Sequence, residues 1–270
     1  MKYICFTNNE LLASSLDNLN PVDTIFIDLE KLGKDQRQGH TNSLISNHTY
    51  QDILNIRKIV RSSLLGVRID PLNVNTEFQI NKVIQNGADV IMLPMFSNIE
   101  EVKEIISIIN KRVYLDLLFE TPKSLDLVDL IPKNLIRKIH FGINDLALAF
   151  SFNSMFSCLF STVVSSAASK AFKRNIEFGL GGVGSLKAKP INPELIMAKL
   201  IQMKANRAIL SRSFLKDIDL KDFISAKESA EIKLNELIEV EKKLHSLSSD
   251  RLQILINDLE SQIKIISQEK

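Results

Sequence analysis

The sequence predicts an α/β protein, a closed (β/α)8 TIM barrel followed by a C-terminal helical extension. Short β-rich runs recur at intervals of roughly 20–35 residues, and amphipathic helical patterns stand between them. The chain has 270 residues, close to the length of about 250 that such a barrel needs as one domain. Repeated βα units and this length together favour one barrel over two smaller domains.

Eight runs carry the strand pattern. They are Lys2–Thr7, Thr24–Leu29, Ser63–Asp70, Asp89–Met95, Arg112–Thr121, Ile136–Ile143, Ile176–Leu180 and Arg207–Ser211. Several are almost continuously apolar, which is typical of parallel strands that are covered on both faces. Eight βα units favour a closed barrel, whereas five or six would have left an open doubly wound sheet equally plausible.

The helices between the strands are marked by their ends. A helix predicted over Asn75–Asn86 stops before Gly87, because glycine readily ends a helix in the left-handed conformation. Asn98 is predicted to cap a helix over Ile99–Asn110, whose first turn carries two glutamates. These local signals mark where the helices of the central βα units begin and end.

The domain organisation predicted is a catalytic barrel over 1–219 and C-terminal helices over 220–270, including the last barrel helix. A break is predicted at Ser246–Asp250, with Ser249 or Asp250 as the N-cap of the final helix. That helix has an apolar stripe formed by Leu252, Leu255, Ile256, Leu259, Ile263 and Ile266. We expect it to pack on the barrel or to form an oligomer contact; a coiled-coil arm is the alternative.

The composition excludes several classes of partner. Lys and Arg number 34 against 32 Asp and Glu, a net charge of +2, and the signs are interspersed, unlike the basic patch of a nucleic-acid-binding protein. No apolar run approaches the ~18 residues that a membrane helix needs. We therefore expect a cytoplasmic protein with no nucleic-acid or membrane partner. Cys5 and Cys158 are expected to be buried thiols.

Carboxylates stand at the predicted ends of strands five and six. The active site of a (β/α)8 barrel forms at the carboxyl ends of its strands. Glu120 and Asp145 can therefore converge, although they are far apart in sequence. Two carboxylates suit Mg²⁺ or Mn²⁺, which keep water and substrate oxygens as further ligands. A structural salt bridge or a helix cap is the alternative interpretation.

An arginine ends the apolar third strand. Arg68 is costly in such a place unless it has a partner or a function. Its guanidinium could stabilise the enolate that forms when a carbon–carbon bond breaks next to a keto group. The alternative is an ion pair inside the barrel with Glu30 or Asp28.

A glycine-rich run, Gly179–Gly184, begins in the seventh predicted strand and continues beyond its end. Backbone N–H groups of Gly181 and Gly182 could contact an anionic substrate group there. Tight packing of a βα turn would demand the same glycines. The run lacks the further residues of a P-loop or a dinucleotide-binding site.

Four histidines are candidates for proton transfer. His40 and His48 flank a polar loop after the second strand, where either could act as a general acid or base near neutral pH. Each could equally be an ordinary surface residue. His140, inside the sixth strand, is expected to pack in the core, and His245 in the tail is given no role.

The segments FIDLE, VRID, GADVIMLPM, FETPKS, HFGINDLAL and GLGG, in this order, resemble the HpcH/HpaI aldolase and citrate lyase β-subunit family. The similarity extends from about residue 20 to about residue 215. It implies that Glu120 and Asp145 bind the divalent metal and that Arg68 binds substrate and stabilises the enolate. It also implies that the barrels form homo-oligomers, often by exchanging a C-terminal helix.

The sequence departs from this pattern at two positions. Lys31 stands where pyruvate aldolases of the family carry a histidine, and Met95 stands where citrate-lyase-like members often carry a lysine. The resemblance then leaves His40, His48 or metal-bound water as the base. Arg37 corresponds to a basic residue that binds substrate in the lyase branch.

The function implied is a class II aldolase type of carbon–carbon lyase, dependent on Mg²⁺ or Mn²⁺. It would act on a 2-keto acid such as pyruvate or oxaloacetate through a metal-bound enolate, with an aldehyde or a thioester as the other substrate. The alternatives are a citrate-lyase-like malyl- or citramalyl-CoA lyase and a non-catalytic barrel that serves as a scaffold or subunit.

Overall fold

The computed structural model describes residues 1–33 and 47–268, and its strands form a closed parallel barrel in the order of the sequence. Each strand pairs with the next, and β1 pairs with β8. The predicted fold is therefore confirmed, and all eight predicted runs overlap a strand. The strands are β1 Lys2–Phe6, β2 Val22–Asp28, β3 Leu64–Arg68, β4 Val90–Leu93, β5 Tyr114–Phe119, β6 Lys138–Phe141, β7 Phe178–Val183 and β8 Arg207–Leu210.

Helices connect the strands and surround the barrel. In the described ranges they are α1 Glu10–Leu16, α2 Tyr50–Ile59, α3 Thr76–Gln85, α4 Ile99–Ile109, α5 Pro122–Asp126, α6 Ile143–Ala149, α7 Thr162–Lys173, α8 Pro193–Gln202, α9 Arg212–Lys216, α10 Phe223–His245 and α11 Ser249–Gln268. Two 3-10 turns, Leu127–Leu130 and Met155–Phe160, lie before β6 and between α6 and α7.

The predicted helix ends agree with the structure. α3 is capped at its C-terminus by Asn86, and Gly87 follows in the left-handed conformation with φ +98°. The Asn98 side chain accepts a hydrogen bond from the Glu101 N–H at 3.0 Å, as expected of an N-cap. These caps set where the chain turns back toward the next strand.

The two C-terminal helices pack on the barrel of their own chain. α10 contacts α1 and α8, and α11 contacts α8 and the second 3-10 turn. The predicted break between them is confirmed, but the predicted N-cap at Ser249 or Asp250 is wrong because both residues are already helical. The Ser248 hydroxyl accepts from the Arg251 N–H at 3.4 Å, so the residue that caps the helix is Ser248, one position before Ser249.

Apolar side chains fill both the barrel interior and the layer between strands and helices. The interior cluster consists of Ile4, Phe26, Val90, Met92 and Leu118. Gly66 leaves room for the Phe26 ring, since a methyl group at Gly66 would lie 2.3 Å from it. A filled interior confines any substrate site to the ends of the barrel.

A buried ionic cluster occupies the amino-terminal end of the barrel interior. Asp116 accepts from Arg207 Nη1 at 2.7 Å and from Arg137 Nη2 at 2.6 Å. Burial alone would raise the pKa of Asp116, but Arg207 and Arg137 hold it below its usual range. The cluster is far from the strand ends where barrel active sites form, and we assign it to stability.

Two smaller expectations concern cysteines and the membrane. Cys5 and Cys158 are both buried free thiols, as predicted. Among the helices of residues 1–33 and 47–268, none combines the length and hydrophobicity of a membrane span.

Candidate active site

A cavity of about 520 Å³ opens at the carboxyl ends of the strands. Among the residues that line it are the predicted metal-binding and substrate-binding residues Arg68, Glu120, Asp145, Gly181 and Gly182. Its size falls in the range of about 300–1,000 Å³ that is typical of small-molecule sites. The strand ends therefore bring these side chains to one place, as the barrel rule predicts.

Arg68 is held in the cavity wall by two carboxylates. Its Nε and Nη2 donate to the two carboxylate oxygens of Asp28 at 2.9 and 2.8 Å, and Nε lies 3.3 Å from Glu30. Burial would lower the pKa of Arg68, but Asp28 and Glu30 raise it, so the guanidinium remains charged. The guanidinium carbon also lies 5.0 Å from the centre of the Phe6 ring. The ion pair weighed as an alternative is thus present, and the arginine lines the cavity as well.

Glu120 follows β5 and is buried, with 3% of its surface exposed. The Met95 backbone N–H donates to Oε1 at 3.2 Å. Met95 has φ +55°, a conformation that is uncommon outside glycine and is often found at functional sites. On the other side, a methyl group at Gly142 would lie 2.9 Å from Oε2. The glycine therefore lets the backbone approach this carboxylate.

Asp145 lies in the first turn of α6, shortly after β6 ends. Its side chain is 8% exposed and faces the same cavity as Glu120. In the ranges 1–33 and 47–268, no group of three or more His, Cys, Asp or Glu side chains is arranged to hold a metal ion. Any cation bound there would have to draw further ligands from water, substrate or other groups.

Gly181 and Gly182 form the end of β7. Gly181 has φ +56°, and a methyl group there would lie 2.7 Å from Ile143 Cδ1. At Gly182 a methyl group would lie 3.0 Å from the Ile209 carbonyl oxygen. Conformation and close packing both require glycine at these positions, as the alternative interpretation of the run expected. Both residues also line the cavity.

His140 lies at the cavity floor rather than only in the core. Its Nε2 lies 3.0 Å from the Gly181 carbonyl oxygen, and a carbonyl only accepts, so Nε2 carries the proton. Nδ1 has no hydrogen-bond partner among the described residues. Burial, followed by the charge of Arg207, lowers the pKa of His140 to about 3. His140 is therefore a neutral ring at any physiological pH.

The other histidines are placed differently. His48 is buried, and its Nδ1 accepts a hydrogen bond from the Asp28 backbone N–H at 3.0 Å. It is not among the residues that line the cavity. His40 and Arg37 lie outside the described residues. His245 ends α10, on the exposed surface.

The opposite wall of the cavity was missed in the sequence apart from Gly184, which ends the predicted glycine-rich run. It is formed by the loop after β7 and by the end of β8, with Gly184, Lys189, Ser211, Arg212 and Ser213 among its lining residues. The strand-end rule applies to β8 as much as to β5 and β6. Applied there, it would have selected Ser211–Ser213 from the sequence.

Comparisons with known proteins give a result at the level of structure only. No family model matches the chain, and no curated protein matches it. Solved structures with the same barrel do match. One is an HpcH/HpaI aldolase/citrate lyase family protein from Burkholderia cenocepacia, with 12% identity and a TM-score of 0.58 over 77% of this chain and 86% of that one.

Two further solved structures are similar to the chain. RipC from Yersinia pestis has 12% identity and a TM-score of 0.56 over 93% of this chain and 98% of its own. The citrate synthase SbnG has 16% identity and a TM-score of 0.52 over 78% and 85%. The shared feature is the fold. At these identities the likeness carries no residue roles from those proteins to this chain.

Proposed function

We propose that this chain is a carbon–carbon lyase of the HpcH/HpaI aldolase and citrate lyase family, acting on a 2-keto acid such as pyruvate or oxaloacetate with Mg²⁺ or Mn²⁺. One observation carries the proposal: Glu120, Asp145 and Arg68 line one cavity at the carboxyl end of the barrel. The motif resemblance and the fold shared with a solved member of that family support it.

The donor set fits a hard divalent cation. Glu120 and Asp145 offer carboxylate oxygens from adjacent strand ends, and Mg²⁺ is commonly held by one or two carboxylates with water and substrate oxygens. Gly142 has no side chain of its own to contact Glu120 Oε2. A bound cation would supply Lewis-acid polarisation of the keto oxygen.

Arg68 supplies the positive charge where negative charge develops. When the carbon–carbon bond of a 4-hydroxy-2-keto acid breaks, its electron pair moves into the keto acid half as an enolate, and the hydroxyl carbon becomes an aldehyde. A fixed guanidinium beside the enolate oxygen lowers the energy of that charge. Asp28 and Glu30 hold the guanidinium in place, so no reorganisation is needed during the reaction.

The proton of the cleaved alcohol needs an acceptor, and the enolate carbon then needs a proton. Of the two predicted histidines, His48 does not line the cavity, and we assign this exchange to His40. His48 Nδ1 accepts from the Asp28 N–H, so Nε2 of the neutral ring carries the proton and His48 has no lone pair left to act as the base. Free imidazole titrates near neutral pH, which is why histidine is the usual residue for such transfers.

The cavity has room for a second substrate. A three-carbon keto acid occupies only a part of about 520 Å³, so an aldehyde or thioester can share the site. The expectation of a homo-oligomer belongs to this proposal and is tested by sedimentation equilibrium of the full chain.

The experiment is deuterium exchange at C3 of pyruvate, followed by NMR in D₂O. With Mg²⁺ or Mn²⁺ the wild-type protein should catalyse exchange, and EDTA should stop it. Glu120→Gln and Asp145→Asn should each abolish catalysed exchange. Asp129→Asn, which changes a carboxylate that pairs with Lys170 outside the cavity, should leave the rate unchanged.

Exchange that survives either Glu120→Gln or Asp145→Asn would disprove this mechanism. Thermal stabilisation of the protein by CoA thioesters but not by free keto acids would instead indicate a malyl- or citramalyl-CoA type of lyase. Absence of any response to metal and keto acid would indicate a non-catalytic barrel.

A further inference from the structure

The cavity is asymmetric in charge. Its acids, Asp28, Glu120 and Asp145, come from the β2, β5 and β6 side. In the described part of the chain, the wall formed by the β7 loop and β8 contributes no acid to the lining. It contributes the cations Lys189 and Arg212 and the hydroxyls of Ser211 and Ser213. This wall is therefore suited to an anion.

The hydroxyls are arranged around an open space. Ser211 Oγ and Ser213 Oγ lie 2.9 Å apart. Ser211 precedes α9 but its side chain makes no capping hydrogen bond, which leaves the hydroxyl on the cavity side. A methyl group at Gly184 would lie 2.6 Å from Ser213 Oγ and 3.4 Å from Ser211 Oγ. The missing side chain at Gly184 thus gives access to both hydroxyls.

Two long cations from different segments line the same cavity. Lys189 lies in the loop between β7 and α8, and Arg212 is the first residue of α9; both side chains are exposed. Lys189 has no ion pair among the residues whose structure is described. Apolar Ile191, Ile196 and Leu215 line the cavity beside them and can contact a carbon chain.

We propose that Ser211, Arg212, Ser213 and Lys189 form a phosphate-binding subsite for the second substrate. The hydrogen-bonded hydroxyl pair and the two cations together match the several acceptor oxygens and the double charge of a phosphate monoester better than the two oxygens of a carboxylate. In (β/α)8 barrels the loops after strands seven and eight often bind phosphate. That the phosphate belongs to a second substrate rests on the proposed function; the subsite itself does not.

The first experiment measures phosphate binding by the full chain without divalent metal, by isothermal titration with inorganic phosphate. Saturable binding is expected for the wild type. Lys189→Gln and Arg212→Gln should each weaken it by about tenfold, the scale of one lost charge-assisted contact. Gly184→Ala should weaken it as well, because its methyl group fills the space beside the hydroxyls.

Matched controls lie in the same segments. Lys187→Gln and Lys216→Gln remove exposed cations from the same loop and the same helix, but neither residue lines the cavity. Both should bind phosphate like the wild type. Absence of saturable binding, or equal weakening by the controls, would overturn the subsite. Acetate binding as tightly as phosphate would overturn the assignment to phosphate.

The second experiment links the subsite to turnover. With pyruvate as the donor, kcat/KM for glyceraldehyde 3-phosphate should exceed that for glyceraldehyde by about tenfold or more, and Arg212→Gln should remove the preference. Equal values in the wild type would overturn the link to the second substrate. The two proposals can be disproved separately. If the wild type does not catalyse pyruvate C3 exchange, the proposed lyase activity is wrong. If the wild type does not bind phosphate saturably, only the subsite is wrong.

Discussion

Arg68 and Asp28 form a two-point contact across adjacent strands, with Nε and Nη2 of the arginine 2.9 and 2.8 Å from the two carboxylate oxygens. Such parallel hydrogen bonds fix the plane of the guanidinium as well as its position. Asp28 is fixed in turn, because its backbone N–H donates to His48. The cation that faces the cavity is therefore oriented through two further residues.

Asp28→Asn should lower activity by disturbing the orientation of Arg68. The amide offers one acceptor oxygen and no charge in place of a carboxylate. We expect kcat for pyruvate C3 exchange to fall by about 10–100-fold, the usual cost of losing a group that orients an active-site residue, with a smaller change in KM.

The control for this change is Asp89→Asn. Asp89 pairs with Arg57 at 2.7 Å and does not line the cavity. Its substitution should leave the exchange kinetics unchanged. Wild-type kcat in Asp28→Asn would show that Arg68 does not need Asp28 to orient it.

Asp116→Asn should strongly destabilise the fold. The carboxylate neutralises Arg207, which is fully buried, and Arg137. Asp23 then remains as the nearest carboxylate, 3.1 Å from Arg137 but 3.8 Å from Arg207. The buried charge of Arg207 is left poorly compensated, and breaking such a buried pair costs about 3–5 kcal/mol of unfolding free energy. Urea denaturation followed by circular dichroism measures the loss.

The matched surface change is Asp129→Asn. Asp129 pairs with Lys170 at 2.9 Å, but both side chains are about half exposed. Screening by solvent limits such a pair to about 0–1 kcal/mol. A loss as small in Asp116→Asn as in this control would contradict the role given to the buried cluster.

His140 should make the fold sensitive to acid. Burial lowers its pKa from 6.5 to about 3 in the folded chain. Between these values the unfolded state binds a proton that the folded state does not, so stability falls as pH falls through this window, by up to about 1.4 kcal/mol per pH unit. Above about pH 7 the ring is neutral in both states and contributes no slope.

The test is the pH dependence of the unfolding free energy in the wild type and in His140→Gln. The variant should lose stability less steeply between about pH 6.5 and pH 3, while both proteins have the same slope above pH 7. Replacing the ring also changes the unfolding free energy by an amount that does not depend on pH, and this amount does not affect the slopes that are compared. Parallel curves across the acid window would show that His140 is protonated in the folded state.

The strand positions and part of the site could be predicted because their signals are local. β4 is buried at all of its residues, and a continuous apolar run is what such a strand requires. Glu120 and Arg68 were found because parallel strands end at one edge of a barrel, so position at a strand end already implies a place in the site.

Other features depend on the closure of the barrel. Asp116 and Arg207 are 91 residues apart, and no periodicity indicates that they meet. His140 was assigned to the core because a histidine within a strand can face either the interior or the helices. Apolar residues flank it on both sides in β6, so the alternation of the strand places it on the opposite face from them. Lys189 lies on a loop whose path no residue pattern specifies.

Gly181→Ala should destabilise the end of β7 for two separable reasons. The residue has φ +56°, which costs a residue with a side chain about 1–2 kcal/mol. Its methyl group would also lie 2.7 Å from Ile143 Cδ1. We expect the unfolding free energy to fall by more than the conformational cost alone.

The double variant Gly181→Ala with Ile143→Val separates the two causes. Valine lacks the Cδ1 atom that the new methyl group would contact, so the double variant should recover the steric part and keep the conformational part. Urea denaturation of the wild type, the two single variants and the double variant gives the coupling between the sites. Full recovery in the double variant would show that the left-handed backbone is not a cost here. Wild-type stability in Gly181→Ala alone would show that neither contact nor conformation requires glycine.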